Sequence, residues 1–428
     1  MIVPATHRLP AKQVFAVVSG NALEFYDFVT YAFFAAQIGR TFFPSDAKGV
    51  SLLASLATFG VGFLTRPLGA FVIGRYADRA GRKPAMLLSF WLMGLAMLGL
   101  PLVPSYASIG MAAPLLVIAF RLLQGFALGG EVGPSTAFLM EAAPPMRRGF
   151  YVSLQAMSAD AAVMIAGLVG VGLSSYLGDA ALDAWGWRAA LLLGVVISPF
   201  GLVLRRTLEE TLHLNAAGHA GEATPQPVKS PAFTRIAVVS LALMATATTT
   251  NYLFSYMTTY ASSTLGMPTT IAFGATVVIG AAGVIFDPLG GWLSDQFGRR
   301  RVILVAWLIY GVSIFPCFWL LDQLRSGPAL YLACGVLASS ATLAGTTALV
   351  SITEWLPRRV RAGGFGLIYA TSIAIFGGSA QFNAEWLTQH FGSPMVPAWY
   401  MMGALGVGLV ALAYLRETAP VKTGRFDS

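Results

Sequence analysis

The chain has 428 residues, of which 56% are hydrophobic and 11% are charged. Its mean hydropathy of +0.69 excludes an ordinary soluble globular domain, in which about a quarter of the residues are charged. The formal net charge of +8 does not indicate nucleic-acid binding, because the basic residues form short clusters in alternate loops and not one patch with aromatic side chains. The composition therefore predicts a protein that lies in a lipid bilayer.

Apolar runs of about 20 residues, the length of a helix that crosses a bilayer, follow one another along the sequence. There are twelve, centred roughly on residues 26, 62, 93, 126, 163, 196, 247, 280, 310, 340, 374 and 406. Many contain Gly and Pro, which spanning helices tolerate, and the runs do not alternate as the strands of a membrane barrel do. We therefore predict an all-α polytopic membrane protein with twelve transmembrane helices.

The first run carries polar residues in its middle. Asn21, Glu24, Asp27 and Tyr31 fall within an arc of about 120°, so they share one face of the predicted helix. A charged residue at the bilayer centre costs roughly 2.5–3.5 kcal/mol, so this face must meet a cavity or a cation and not lipid. We predict a proton-linked or substrate-linked role for at least one acid, with helix packing as the alternative.

The second run contains Arg66, followed by Pro67, which can open the hydrogen-bond ladder of the helix. At a rise of about 1.5 Å per residue, Arg66 lies at a depth similar to that of Glu24 and Asp27. An ion pair between them is therefore geometrically allowed. A structural counter-ion and a ligand contact are equally open interpretations of Arg66.

The fourth run has a polar stripe of its own. Arg121, Gln124 and Glu131 fall within an arc of about 80°. A guanidinium is permanently charged and suits a carboxylate ligand, whereas a buried Glu can bind and release a proton. A latch between Arg121 and an acid of another helix is the alternative.

The second half of the chain offers mainly uncharged polar groups. Tyr252 and Tyr256 share one face of the seventh run, and Gln381 lies in the eleventh. Their hydroxyl and amide groups can bind a polar substrate, although an aromatic stripe is also typical of a packed core. Asp160 in the fifth run and Asp287 in the eighth are further acids, and for Asp287 a gating or packing role is expected.

One loop motif occurs twice. GRYADRAGRKP at 74–84 returns as GWLSDQFGRRR at 291–301, and EAAPPMRRG at 141–149 matches EWLPRRVRAGG at 354–364. The repeated loop predicts gating contacts made by its charged residues, namely Asp78, Arg79, Arg82, Asp295 and Arg299. The second copy has Gln296 where the first has Arg79, which predicts a weaker second gate.

The repeat divides the chain into two units. We predict a six-helix bundle over residues 1–206, a hydrophilic cytoplasmic linker over 207–232, and a second six-helix bundle over 233–428. Two such halves allow rocking about a central site, which is the geometry of alternating access. Transport is therefore indicated before any chemistry is considered.

Lys and Arg are distributed unevenly between the two sides of the predicted membrane. Four of the 27 lie in loops on one side (Arg40, Lys48, Arg188 and Arg325), two lie inside runs, and the other 21 lie on the opposite side. The positive-inside rule assigns that side, with both termini, to the cytoplasm. We expect a monomeric integral protein of a plasma membrane, the inner membrane of a bacterium, with no nucleic-acid partner.

The motif G-x-x-x-D-R-x-G-R-K at 74–83 resembles the signature loop of the major facilitator superfamily. Within it, SGNALEFYDF, GFLTRPLGAFVIGRYADRAGRK, RLLQGFALGGE and IFGGSAQF resemble the metabolite:proton symporter family, and the segment 19–44 is most similar to its citrate-type members. The resemblance covers all twelve runs. It implies the major facilitator fold of two pseudo-symmetric bundles and proton-coupled import of carboxylates, shikimate or osmolytes.

The residues and the resemblance together predict a proton symporter of a small organic anion, citrate or a related di- or tricarboxylate. Substrate binding is assigned to Asn21, Tyr31, Arg66, Arg121, Gln124, Tyr252, Tyr256 and Gln381, and proton coupling to Glu24, Asp27 and Glu131. No resident cofactor and no metal are expected, and coupling to sodium stays open.

Other interpretations remain, among them a channel or receptor, which would not explain the paired gates. Two intramembrane cations against five acids keep zwitterionic osmolytes, such as betaine or proline, and shikimate-like acids as candidate substrates. A drug–proton antiporter of the same fold would use the acids to attract cations. A membrane enzyme is disfavoured, because all four His residues fall outside the runs and neither HExxH nor GxSxG occurs.

Overall fold

The computed structural model describes residues 11–47, 49–80, 82–129, 135–136, 139–140, 143–206, 231–357 and 361–424. Some predictions fall elsewhere. Glu131 and residues 207–230 of the predicted linker lie outside the described residues, as do the side chains of Glu24, Asp78, Arg79 and Arg82. Their predicted roles stay predictions.

The first half of the described chain, residues 11–206, is helical throughout most of its length. Its helices are α1 (Ala11–Phe33), α2 (Ala35–Phe42), α3 (Val50–Val61), α4 (Arg66–Ala80), α5 (Arg82–Leu102), α6 (Tyr106–Ile109), α7 (Ala112–Leu128), α8 (Arg148–Ala181) and α9 (Trp187–Arg206). We call the side on which α1 begins the inner side and the opposite side the outer side.

The second half, residues 231–424, repeats this design with longer uninterrupted helices. They are α10 (Pro231–Thr259), α11 (Thr269–Phe297), α12 (Arg299–Leu324), α13 (Gly327–Trp355), α14 (Arg361–Ser372), α15 (Gly378–Phe391), α16 (Val396–Tyr414) and α17 (Pro420–Thr423). A turn of π-helix extends α10 at Tyr260–Thr264, and another joins α14 to α15 at Ile373–Gly377.

Eight segments of the described chain are long and apolar enough to cross a membrane. One of them, Pro145–Val196, has 52 residues and contains two crossings, because Gly178 adopts φ 71° and breaks the helix. Leu87–Leu102 and Ala112–Leu128 are shorter apolar helices, and the polar α1 supplies the remaining crossing. The described part of the chain therefore contains helices for twelve crossings of a bilayer.

Two crossings are interrupted. In the first, α1 ends at Phe33 and α2 begins at Ala35; in the second, the break between α3 and α4 spans residues 62–65. The Thr65 hydroxyl donates to the Leu122 carbonyl oxygen (2.6 Å), which fixes the second break against α7. A Cβ atom at Gly125 would overlap the Gly62 carbonyl group, so only glycine lets α7 approach this closely.

Large apolar side chains lie both in the interior of the protein and on the outside of its helices. One contiguous core joins buried residues of both halves, including Phe28, Phe59, Tyr252 and Phe273. Large apolar side chains such as Val312 are instead exposed on the outside of the helices, where a soluble protein would place polar groups. This outward-facing apolar surface suits the acyl chains of a bilayer.

Candidate transport site

A chain of three buried polar side chains crosses from α1 to α7. Arg121 donates from a terminal guanidinium nitrogen to Gln124 Oε1 (2.7 Å), and Gln124 Nε2 donates to Asp27 Oδ2 (2.6 Å). All three are almost completely buried. Periodicity predicted that Arg121 and Gln124 share one face of their helix, and the structure brings Asp27 of α1 to that face.

The donors of Arg121 fix the orientation of the Gln124 amide. A guanidinium has only donors, so it must face the amide oxygen, and the amide nitrogen must then face the Asp27 carboxylate. Gln124 therefore connects an acid to a cation without placing them in direct contact. This is the predicted latch between Arg121 and an acid, made through one intervening amide.

Aromatic rings surround both intramembrane arginines. The Arg121 guanidinium carbon lies 4.5 Å from the ring centre of Tyr31, 4.7 Å from that of Phe28 and 5.0 Å from that of Phe59. Arg66 lies 5.3 Å from the same Phe28 ring. Cation–π attraction replaces part of the hydration that the two cations lose on burial.

The second half closes this aromatic cluster. The Tyr252 ring on α10 packs at 5.2 Å from Phe63 and at 5.9 Å from Phe59. Tyr369 on α14 lies within hydrogen-bonding reach of the Arg66 guanidinium. Both arginines therefore lie where the two halves meet, at the centre of the protein.

Some donors at this centre have no acceptor. Among the described residues, neither Arg66 Nε nor Arg121 Nε has a hydrogen-bond partner, although both atoms are buried. Leaving a buried polar group unpaired costs about 1–3 kcal/mol, and more if it is charged. Two buried cations with unused donors can bind an anionic ligand.

Other predicted substrate residues occupy different places. The Asn21 side chain donates to the Gln155 carbonyl oxygen (3.0 Å) and to Ser158 Oγ (2.8 Å), so it fastens α1 to α8. Tyr31 donates to the Ser55 carbonyl oxygen (3.4 Å) beside Arg121. Asn21 therefore lies at a helix contact, whereas Tyr31 lines the central cluster.

A second polar group lies on the outer side, between α10 and α15. Tyr256 donates to Glu385 Oε2 (2.6 Å), and Gln389 Nε2 donates to Glu385 Oε1 (2.7 Å). One turn away, Gln381 is completely buried, and among the described residues neither of its amide atoms has a hydrogen-bond partner. Sequence reasoning selected Tyr256 and Gln381 but missed Glu385, although it lies four residues after Gln381 on the same helix face.

The repeated loop of the second half forms a contact between the halves on the inner side. Asp295 accepts hydrogen bonds from the backbone N–H groups of Gly149 (2.9 Å) and Phe150 (3.0 Å). These are the free N–H groups of the first turn of α8, so an acid of one half caps a helix of the other. The predicted gating residues Asp295 and Arg299 meet here, with 2.8 Å between Asp295 Oδ1 and a guanidinium nitrogen.

Two further acids complete this inner contact. Glu354 binds Arg299 through both oxygens, at 2.9 and 3.1 Å, and accepts from Thr418 Oγ1 (2.7 Å). Glu417 accepts from the backbone N–H groups of Arg299 (2.8 Å) and Arg300 (3.1 Å). Sequence reasoning assigned no role to these acids, but for Glu354 the recurrence of its motif in both halves was the signal that could have found it.

Comparisons with known proteins identify the chain. The family model described as "Sugar (and other) transporter" matches residues 12–226, and the model described as "Major Facilitator Superfamily" matches residues 276–426. A citrate–proton symporter of Klebsiella pneumoniae is 35% identical over 418 residues, which cover 96% of this chain and 94% of that protein. The chain belongs to the major facilitator superfamily.

Other members of the superfamily agree in sequence and in fold. An alpha-ketoglutarate permease of Escherichia coli (strain K12) is 35% identical, with 95% of this chain and 94% of that protein covered. The proton:xylose symporter XylE superimposes with a TM-score of 0.76 at 16% identity, and the match covers 95% of this chain and 96% of that one. The predicted twelve-helix major facilitator fold is therefore confirmed, and these relatives are transporters and not enzymes.

Proposed function

We propose that this chain is a secondary active transporter that imports a small organic anion together with protons by alternating access. The substrate class favoured is citrate or a related di- or tricarboxylate. One observation carries the proposal: two buried guanidiniums, Arg66 and Arg121, flank one Phe28 ring and have Nε–H groups without acceptors among the described residues. Carboxylate oxygens would supply those acceptors.

The site suggests how binding proceeds. A substrate carboxylate accepts from Arg121, which also holds the Gln124 amide, and a second carboxylate accepts from Arg66. Tyr252 and Tyr369 offer hydroxyl donors around the same aromatic cluster. Because Phe28 and Phe59 exclude water, the charge pairs formed with the substrate are strong and the anion leaves the aqueous phase paired.

A zwitterionic osmolyte is the second candidate, and one feature favours it. The rings of Phe28, Phe59, Phe63 and Tyr252 lie within 4.6–6.3 Å of one another. Such a ring cluster can receive a quaternary ammonium group by cation–π attraction while Arg121 receives the carboxylate. The two arginines already lie over these rings, which makes a polyanion the better match.

The division into bundles, the orientation in the membrane and the coupling ion are part of this proposal. The repeated loop supports two bundles, over residues 1–206 and 233–428, joined by a linker over 207–232. The distribution of Lys and Arg supports cytoplasmic termini. We propose a monomer in the inner membrane of a bacterium, without resident cofactor, with the proton as coupling ion and sodium as the alternative to test.

The test is uptake into proteoliposomes that carry the purified protein. Under an inward proton gradient, radiolabelled citrate or 2-oxoglutarate should accumulate above its external concentration, and a protonophore should abolish the accumulation. Shikimate and betaine are assayed in parallel, and sodium is replaced by choline in a matched set. Carboxylate symport would be refuted if the protein accumulated betaine but no carboxylate. It would also be refuted if none of the four compounds accumulated.

A further inference from the structure

The helices α8 and α11 bring together two acids, one from each half. Asp160 lies on α8 and Asp287 lies on α11, and their carboxyl groups lie within reach of each other. A Cβ atom at Gly283, one turn before Asp287, would overlap the Asp160 carboxyl group. Gly280, one turn earlier, touches the backbone of Asp160 and Met164. Glycines thus make room for an acid at the crossing of the two halves.

Two carboxyl groups this close together can share a proton. Carboxylates only accept hydrogen bonds, so a bond between two of them requires that one is protonated. Thr346 on α13 donates to Asp287 Oδ1, while Asp287 Oδ2 is buried and has no donor among the described residues. A proton shared between the two carboxyl groups would give this oxygen a partner.

The charges around the pair differ from those around Asp27. Asp27 accepts from Gln124, which in turn holds the Arg121 cation, so its negative charge is compensated. At the pair, α8 contributes Asp160, α11 contributes Asp287 and α13 contributes the Thr346 hydroxyl. On α1, Asn21 binds Ser158 nearby, and the side chain of Glu24 lies outside the described residues. In the described part of the chain the pair therefore has no cation to replace the proton.

The pair lies near the middle of the bilayer. Asp160 follows the start of α8 by 12 residues and Asp287 precedes the end of α11 by 10 residues. At about 1.5 Å per residue both lie roughly 15–18 Å from the inner side, close to half of a core about 30 Å thick. Asp287 is buried, whereas Asp160 is only half-buried.

We propose that the Asp160–Asp287 pair is a proton-binding site, and that this proton is the one transported with the substrate. This inference rests on the proposed function as a proton symporter. One carboxylate takes a proton from water, forming one O–H bond, and the resulting acid donates to the other carboxylate across the crossing of α8 and α11. When the proton returns to water on the inner side, two anions face each other and repel, so the two halves separate at this crossing.

The test compares substrate exchange with proton-driven accumulation. In Asp287→Asn and in Asp160→Asn, the amide donates to the remaining carboxylate, so the contact forms without a transported proton. Both variants should exchange internal for external substrate close to the wild-type rate. With a gradient of about one pH unit, one coupled proton concentrates substrate about tenfold, and both variants should lose that accumulation.

Two controls make the result specific. Asp183→Asn removes an acid whose pair with Arg40 is exposed, and it should accumulate substrate like the wild type. Thr346→Val removes the hydroxyl donor to Asp287 and leaves both acids, so coupling should persist. Substrate-driven proton entry, followed with a pH-sensitive dye, should be present in both controls and lost in both Asn variants.

The outcomes separate this inference from the proposed function. If wild-type protein accumulates no carboxylate, carboxylate symport fails. If the wild type accumulates substrate and either Asn variant also accumulates it, the acid pair is not the coupling site. Should Asp287→Asn not be recovered folded, Asp160→Asn at the half-buried position provides the same comparison. If the wild type accumulates substrate in response to a sodium gradient and not to a proton gradient, the proton is not the coupling ion that the acid pair binds.

Discussion

Arg121 shows what a permanently charged side chain needs in order to lie inside this protein. Its guanidinium faces three aromatic rings at 4.5–5.0 Å and donates to Gln124 at 2.7 Å. A flat, weakly hydrated cation can satisfy both contacts, whereas the compact ammonium of lysine retains its water more strongly. At this position the shape of the cation matters in addition to its charge.

We therefore expect Arg121→Lys to lower initial substrate uptake at least about tenfold, which corresponds to the loss of one charge-assisted hydrogen bond of roughly 1.5–3 kcal/mol. The control is Arg188→Lys, because Arg188 also lies over rings, 4.9 Å from Trp187, and donates to the Val103 carbonyl oxygen (3.0 Å) far from the centre. Uptake in proteoliposomes at equal protein content measures both. Equal rates for Arg121→Lys and the wild type would show that charge alone suffices.

How much could be predicted at this scale depends on how far apart the partners lie. Arg121 and Gln124 are three residues apart, so helix periodicity alone puts them on one face. The partnership of Tyr256 with Glu385 depends on how α10 packs against α15, which no local pattern encodes. The pairing of Asp160 with Asp287 was missed for the same reason, although each acid was visible as a charge in an apolar run.

At the scale of the helices, the crossings were predicted well and their interruptions were not. Apolar length determines where a helix can span, so the twelve runs correspond to the twelve crossings. The break between α3 and α4 instead depends on α7, whose Leu122 carbonyl oxygen accepts from Thr65. The π-helical turns after α10 and α14 gave no signal in the hydropathy pattern.

A glycine contact between α3 and α15 gives a prediction at this scale. A Cβ atom at Gly60 would overlap the carbonyl oxygen of Gly378, and backbone cannot yield as a flexible side chain does. Gly60→Ala should therefore destabilise the folded protein by about 1–3 kcal/mol and slow uptake, because it separates the two halves on the outer side. The measurements are thermal unfolding in detergent, followed by tryptophan fluorescence, and initial uptake.

The matched control for that change is Gly94→Ala in α5. Among the described residues, a Cβ atom at Gly94 would meet nothing within 4 Å. Because alanine favours helix over glycine by roughly 0.5–1 kcal/mol, this variant should be as stable as the wild type or slightly more stable. If both glycine variants unfold at the wild-type temperature, the contact between α3 and α15 is not a tight one.

For the whole molecule, contacts between the halves occur on both sides of the central cluster. On the outer side, Phe34, the residue between α1 and α2, packs against Phe273 of α11, with 4.9 Å between the two ring centres. On the inner side, Val350 of the second half packs with Leu139, Met140 and Val152 of the first. The centre can open to one side only after the contacts on that side are broken, as alternating access requires.

The acid Asp295 should hold the inner side closed. Asp295→Asn loses the charge that faces Arg299, and its amide nitrogen cannot accept from the first turn of α8, so one N–H group there loses its partner. Loss of one charge-assisted hydrogen bond costs roughly 1.5–3 kcal/mol, and every 1.4 kcal/mol changes an equilibrium about tenfold. The inner-open form should therefore become about tenfold more populated.

Alkylation of a cysteine placed in the inner contact measures this shift. The reporter is Val350→Cys, with Cys317 and Cys334 replaced by alanine, because Val350 is buried until the halves separate on the inner side. Asp295→Asn should raise the alkylation rate of the reporter about tenfold. Asp322→Asn is the control, since its pair with Arg325 is exposed and such pairs contribute about 0–1 kcal/mol. An unchanged rate in Asp295→Asn would mean that other contacts, such as the apolar packing around Val350, keep the inner side closed.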